Sequence, residues 1–101
     1  MIDFVNARAI AETVVGESHG THDHQLVIVD AHTIDDPLGW IFFTESDKFL
    51  RSGKFRDRLI GNHPIFVDRA DGSVTNVPTY QSAETFLADY RRWRAANSPE
   101  P

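Results

Sequence analysis

Pro64-Ile65-Phe66-Val67-Asp68-Arg69-Ala70-Asp71-Gly72-Ser73-Val74-Thr75-Asn76-Val77 is the stretch on which the fold turns. Ile65 to Asp68 is a β-branched and aromatic run, and Pro64 opens it where a missing N–H is tolerated. Asp71-Gly72 is the strongest hairpin signal in the chain, since a type I′ turn needs positive φ at both central residues. Ser73 to Val77 then returns as an antiparallel strand. Such a hairpin cannot bury its apolar side chains alone and needs further strands or helices against it.

Those partners are readable on both sides. Upstream, Leu26-Val27-Ile28-Val29 predicts a strand within 25–31, and Trp40 to Thr44 predicts another. The second is apolar almost without interruption, the mark of a central strand covered on both faces. Between them His32 to Leu38 reads as a connection, with Asp35-Asp36-Pro37 as turn chemistry closed by Gly39. The segment 47–60 is ambiguous: a strand or turn near 48–51 and a helical turn near 55–60, with Gly53 between. At the N-terminus Ala7, Ile10, Ala11 and Val14 recur at helical spacing, with Phe4 one turn earlier, Asp3 as N-cap and Gly16 as stop. Downstream, Ala83, Phe86, Leu87 and Tyr90 form the same stripe over 83–95, with Ser82 as cap and Arg91, Arg92 and Arg94 at the C-terminal end. The order implies an α+β domain, a small antiparallel sheet of about four strands packed by an N-terminal and a C-terminal helix. It occupies residues 1–96, with 97–101 as a tail.

Composition bounds the function. The chain has 101 residues, 41% of them hydrophobic and seven of them Phe, enough for one core. It has no cysteine, hence no disulfide, thiolate nucleophile or Cys-ligated zinc. The longest apolar runs, Leu26–Val29 and Trp40–Phe43, are far too short to span a bilayer, and no signal peptide is readable, so a cytoplasmic location is expected. Residues 1–47 hold nine acids against one base, Arg8, a net −8. Residues 48–101 hold nine bases against six acids, a net +3. The acidic half disfavours nucleic acid and suits a basic protein surface. Glu17, Asp23, Asp35, Asp36, Glu45 and Asp47 are the candidate contacts; a solvated face that merely keeps the chain soluble reads equally well.

Chemistry-bearing patterns are weak. His19, His22 and His24 sit beside Asp23 in the spacing of a possible zinc or nickel loop, but no fourth ligand has a characteristic spacing, so no metal is assigned. His63 lacks a nucleophile or orienting acid. Asp35-Asp36 and Glu45/Asp47 could pair carboxylates, yet the first pair is explained by its turn. No glycine-rich phosphate loop or serine elbow occurs. Arg91-Arg92-Trp93-Arg94 resembles an RNA-binding cluster but falls on a helix end. No catalytic residue and no cofactor is expected.

The motifs have a further reading together. Gly39-Trp40 followed by Ile41-Phe42-Phe43, then Phe49-Leu50, then Gly61-Asn62-His63-Pro64 leading into Ile65-Phe66-Val67-Asp68-Arg69, then Asp71-Gly72 and Thr79, resembles the immunity protein 35 (YrhB-like) family of bacteria. Thr44, Pro78-Thr79 and the histidine loop depart from the pattern. The resemblance implies a small cytoplasmic antidote that binds and blocks a cognate polymorphic toxin domain. Some YrhB-like proteins are regarded instead as chaperone-like, binding unfolded clients. In this reading Gly39, Trp40, Gly61, Asn62, Pro64, Asp68, Arg69 and Gly72 build the scaffold, and the acidic loops meet the toxin. A metal protein or small enzyme using the histidine loop is the remaining alternative.

Overall fold

The computed structural model describes residues 1–17, 26–54 and 63–97. Helix α1 spans Phe4–Glu17, strand β1 Leu26–Ile28, β2 Ile34–Asp36, β3 Gly39–Phe42 and β4 Thr44–Ser46; helix α2 spans Asp47–Ser52, β5 Ile65–Asp68, β6 Val74–Asn76 and α3 Ala83–Asn97. One 3-10 turn, Asp30–His32, separates β1 from β2. The larger sheet is antiparallel in the order β2-β3-β5-β6, and β1 pairs with β4 in a separate two-stranded sheet.

The expected α+β architecture is present, and side-chain alternation explains its layers. Trp40 and Phe42 of β3 and Ile65 and Val67 of β5 point to one face, where they bury Ala7, Ala11 and Val15 of α1. Ile41 and Phe66 point to the other, against Phe86 and Leu87 of α3 and against Val77. Every residue of β3 and β5 is buried. Two helices thus sandwich a sheet whose two middle strands are apolar on both sides. The stripes of α1 and α3 meet the sheet as their spacing predicts. Each large side chain so buried contributes about 1.5–3 kcal/mol.

Both helix starts also follow from the sequence. Asp3 Oδ1 accepts the Asn6 N–H at 2.9 Å, and Ser82 Oγ accepts the Thr85 N–H at 3.1 Å. These side chains satisfy donors that have no partner within the helix.

Several expectations need correction. The segment 32–38 is no mere connection: Ile34–Asp36 pairs with Gly39–Ile41 in a tight hairpin. Three residues carrying two Asp give no strand periodicity, so pairing rather than propensity makes this strand. The apolar run 40–44 is divided: Gly39–Phe42 belongs to the large sheet, and Thr44–Ser46 leaves it to pair with β1. Residues 47–52 are helical rather than a strand or turn. Ser46 Oγ accepts the Phe49 N–H at 3.2 Å, and Gly53, at φ 69°, closes the helix with its N–H on the Phe49 carbonyl. The expected helical turn at 55–60 lies outside the described residues. Helix α1 continues through Gly16 to Glu17. The Asp71-Gly72 turn is not type I′, because among the described residues only glycines have positive φ, and only Gly72 does so here, at 77°. The hairpin instead has a four-residue loop, closed by the Asp68 N–H on Ser73 O (2.9 Å) and the Gly72 N–H on Asp68 O (2.8 Å).

Candidate protein-binding surface

The acidic positions come first. Asp35 stands on the edge strand β2 with its side chain 75% exposed, and its Oδ1 accepts from Arg69 Nη2 at 2.7 Å. Asp36 is turned inward; its Oδ2 accepts the Leu38 N–H at 2.9 Å and lies 3.7 Å from Arg91 Nη2. Glu45 lies on β4, where Oε2 accepts the Ser46 N–H at 3.1 Å. Asp47 opens α2 and pairs with Arg51 at 3.5 Å. Glu17 ends α1, and Asp23 lies outside the described residues, as do His19, His22, His24, Gly61 and Asn62.

The structure splits these acids into two places. Asp36 is opposite Gly39, and Glu45 lies six residues farther along β3 and β4, up to about 20 Å of extended chain. Asp35 and Asp36 thus sit at one end of the β3–β4 run and Glu45 and Asp47 at the other. The steep charge asymmetry along the sequence is also partly cancelled in space, since Arg69 and Arg91 of the basic half reach Asp35 and Asp36 of the acidic half. A third group joins Arg8 of α1 to Glu12 and, through two nitrogens at 2.7 and 3.0 Å, to Asp30. Its guanidinium hydrogen bond holds the Asp30 carboxyl below the usual range. Such exposed pairs contribute about 0–1 kcal/mol each.

Beneath the Asp35 end lies a network that the sequence does not reveal. Asp68, at 1% exposure, has its carboxylate on the α3 side of the sheet. Oδ2 accepts from the Tyr90 hydroxyl at 2.6 Å and from Arg94, and Oδ1 accepts the Ala70 N–H at 2.8 Å. Burial works to raise its pKa, but the bonds from Tyr90, Arg94 and Ala70 outweigh that and keep it below the usual carboxylate range. Burial and the bond to Asp68 together raise the Tyr90 phenol. The neighbouring Arg69 points to the other face, its guanidinium carbon 4.1 Å from the Trp40 ring centre, and Nη2 also reaches the Asp36 carbonyl at 3.0 Å. Asp68 therefore fastens the sheet to α3, while Arg69 fastens β2 to β3 and covers the Trp40 ring. A bare Asp-Arg dipeptide gives no hint of this; the nearest signal is Tyr90 and Arg94 one turn apart on a helix that must face the strand.

Gly39 and Gly72 have steric reasons to lack a side chain. A Cβ on Gly39 would overlap the Val67 carbonyl oxygen across the β3–β5 pair and lie 3.1 Å from Arg69 N. A Cβ on Gly72 would stand 3.1 Å from Ile10 Cδ1, where the hairpin loop meets α1. Among the described residues no group of three or more His, Asp or Glu could hold a metal ion, and no helix is long and apolar enough to cross a membrane.

A family model described as immunity protein 35 matches residues 5–95. No curated protein matches the chain. No solved structure matches it either. The match runs from the first turn of α1 almost to the end of α3, so it takes in both helices and every strand of the sandwich, and on that span the chain belongs to the immunity protein 35 family.

Proposed function

We propose that the chain is a cytoplasmic immunity protein that binds a cognate bacterial toxin domain and neutralises it by occlusion, with no catalysis of its own. The family match over residues 5–95 carries this reading, since an immunity protein acts through a toxin partner. The charge supports a basic partner: the chain is −5 overall, and the Asp35 and Asp30 side chains are 75% and 62% exposed. In this reading Glu17, Asp23, Asp35, Glu45 and Asp47 supply the acidic contacts, the inward-turned Asp36 braces the turn beside Asp35, and Gly39, Trp40, Gly61, Asn62, Pro64, Asp68, Arg69 and Gly72 hold the scaffold that presents them.

The test mixes the purified protein with the toxin domain encoded beside its gene and measures both complex formation and protection of cells expressing that toxin. Binding should weaken as salt rises, and Asp35→Lys should slow association about tenfold while leaving the fold intact. Absence of both complex and protection refutes the reading. Suppressed aggregation of unrelated unfolded proteins, without specific toxin binding, would favour a chaperone-like role.

A further inference from the structure

The two edges of the larger sheet are built differently. Both are three residues long, but edge β2 carries Asp35 and Asp36, runs into Pro37, and has Arg69 folded onto it. Charge and proline on an edge are the usual defence against another strand adding there. Strand β6 itself has neither, and Pro78 follows it only after Val77. From Gly72 to Ala83 the chain carries no charged side chain, and Val74 of the edge is 37% exposed.

Register fixes which backbone groups β6 offers. The Asp68 N–H bonds Ser73 O and the Val77 N–H bonds Pro64 O, each at 2.9 Å, so positions 73, 75 and 77 turn their polar groups toward β5. Alternation then turns the N–H and C=O of Val74 and Asn76 outward. No hydrogen bond from a described residue reaches them. Two donors and two acceptors at a two-residue spacing match an extended backbone. On the α1 face beside this edge lies a recess of about 230 Å³, lined by Val14, Leu26, His63, Ile65 and Asn76. A side chain placed opposite Asn76 on an added strand would point to that same face.

We propose that the outer edge of β6 is where the partner docks, by adding an extended segment of its own as a further strand. This rests on the toxin-binding reading above and deepens it by naming the mode of contact. The occupant is a strand of a positively charged protein with an apolar or β-branched residue opposite Asn76. A second copy of this chain fits less well. Two chains of −5 repel, and a three-residue edge alone buries far less than the roughly 1,000 Å² that a stable interface needs, so the occupant must bring contacts elsewhere. Exposed Asp71, at the start of the edge, faces a basic partner favourably.

The test uses Val74→Pro and Asn76→Pro with the toxin domain encoded beside the gene. Each removes an outward N–H and leaves the β5–β6 ladder intact. Both variants should retain the wild-type circular dichroism and lose at least tenfold in toxin affinity. In the wild-type complex the Val74 and Asn76 amides should gain hydrogen-exchange protection, a readout independent of whether the variants fold. Unchanged affinity in folded proline variants, or wild-type binding without protection of these amides, overturns the edge proposal alone. Wild-type protein that does not bind the toxin overturns the functional reading and the edge proposal with it. Concentration-dependent dimerisation in sedimentation, abolished by Asn76→Pro, overturns it in favour of a second copy.

Discussion

Tyr90→Phe isolates one oxygen atom in the buried network. The ring keeps its neighbours, Phe66 with centroids 4.6 Å away, Phe86 at 5.9 Å and Trp93 at 5.4 Å, so packing is conserved. What disappears is a 2.6 Å hydroxyl bond to a carboxylate. A hydrogen bond to a charged group contributes about 1.5–3 kcal/mol. Asp68 retains Arg94 and the Ala70 N–H, which favours a loss near 2 kcal/mol. For a chain of this length total stability is of order 10 kcal/mol, so about a fifth is removed, and the melting temperature should fall by roughly 8–16 °C. Guanidinium titration of Tyr90→Phe, Asp68→Asn and the double variant gives the coupling directly, expected at about 1–2 kcal/mol. The pH dependence gives a second reading. The folded Asp68 pKa lies below its unfolded value, so its contribution is present above about pH 4 and is lost as pH falls through the folded pKa. The folded Tyr90 pKa is raised, so its contribution is present below about pH 10 and is lost as pH rises through the folded value. Asp68→Asn should flatten the acid limb and also weaken the alkaline one, because the bond and charge of Asp68 help to raise the Tyr90 phenol. A wild-type midpoint for Tyr90→Phe, or a coupling of zero, would refute the account of Asp68 as the fastening between sheet and α3.

Gly39→Ala forces a Cβ onto the Val67 carbonyl oxygen between two fully buried strands, and should cost about 3 kcal/mol or more by denaturant titration. Arg69→Lys keeps the charge but loses the planar contact with Trp40 and the guanidinium Nη2 that donates to both Asp35 and the Asp36 carbonyl; a loss of about 1–2 kcal/mol and a change in Trp fluorescence are expected. Gly53→Ala meets no steric neighbour but must adopt φ 69°, so its cost should be only about 1 kcal/mol, confined to fraying of α2 in amide exchange.

Local patterns settled much of this protein from the sequence alone. The spacing of Ala7, Ala11, Phe86 and Leu87 fixed both long helices and their buried faces, because a helical stripe has one way to leave water. The continuous apolar run at 40–43 marked a middle strand, since only a strand covered on both sides stays apolar at every position, and the run at 65–67 marked the strand of the hairpin beside it. The motif order also marked the family, which the match over residues 5–95 shows. Pairing between segments decided the rest. Ile34-Asp35-Asp36 becomes a strand because β3 offers it an edge, and the run after Phe42 changes sheets because β1 lies there to receive it. Asp68 acquires its role from Tyr90 and Arg94, more than twenty residues away, and the acids at 35, 36, 45 and 47 are divided between the two ends of the β3–β4 run. Periodicity reports how a segment meets water. Which segment it meets instead is a property of the assembled chain, and the paired charges and the β6 edge, unpaired among the described residues, exist only at that level.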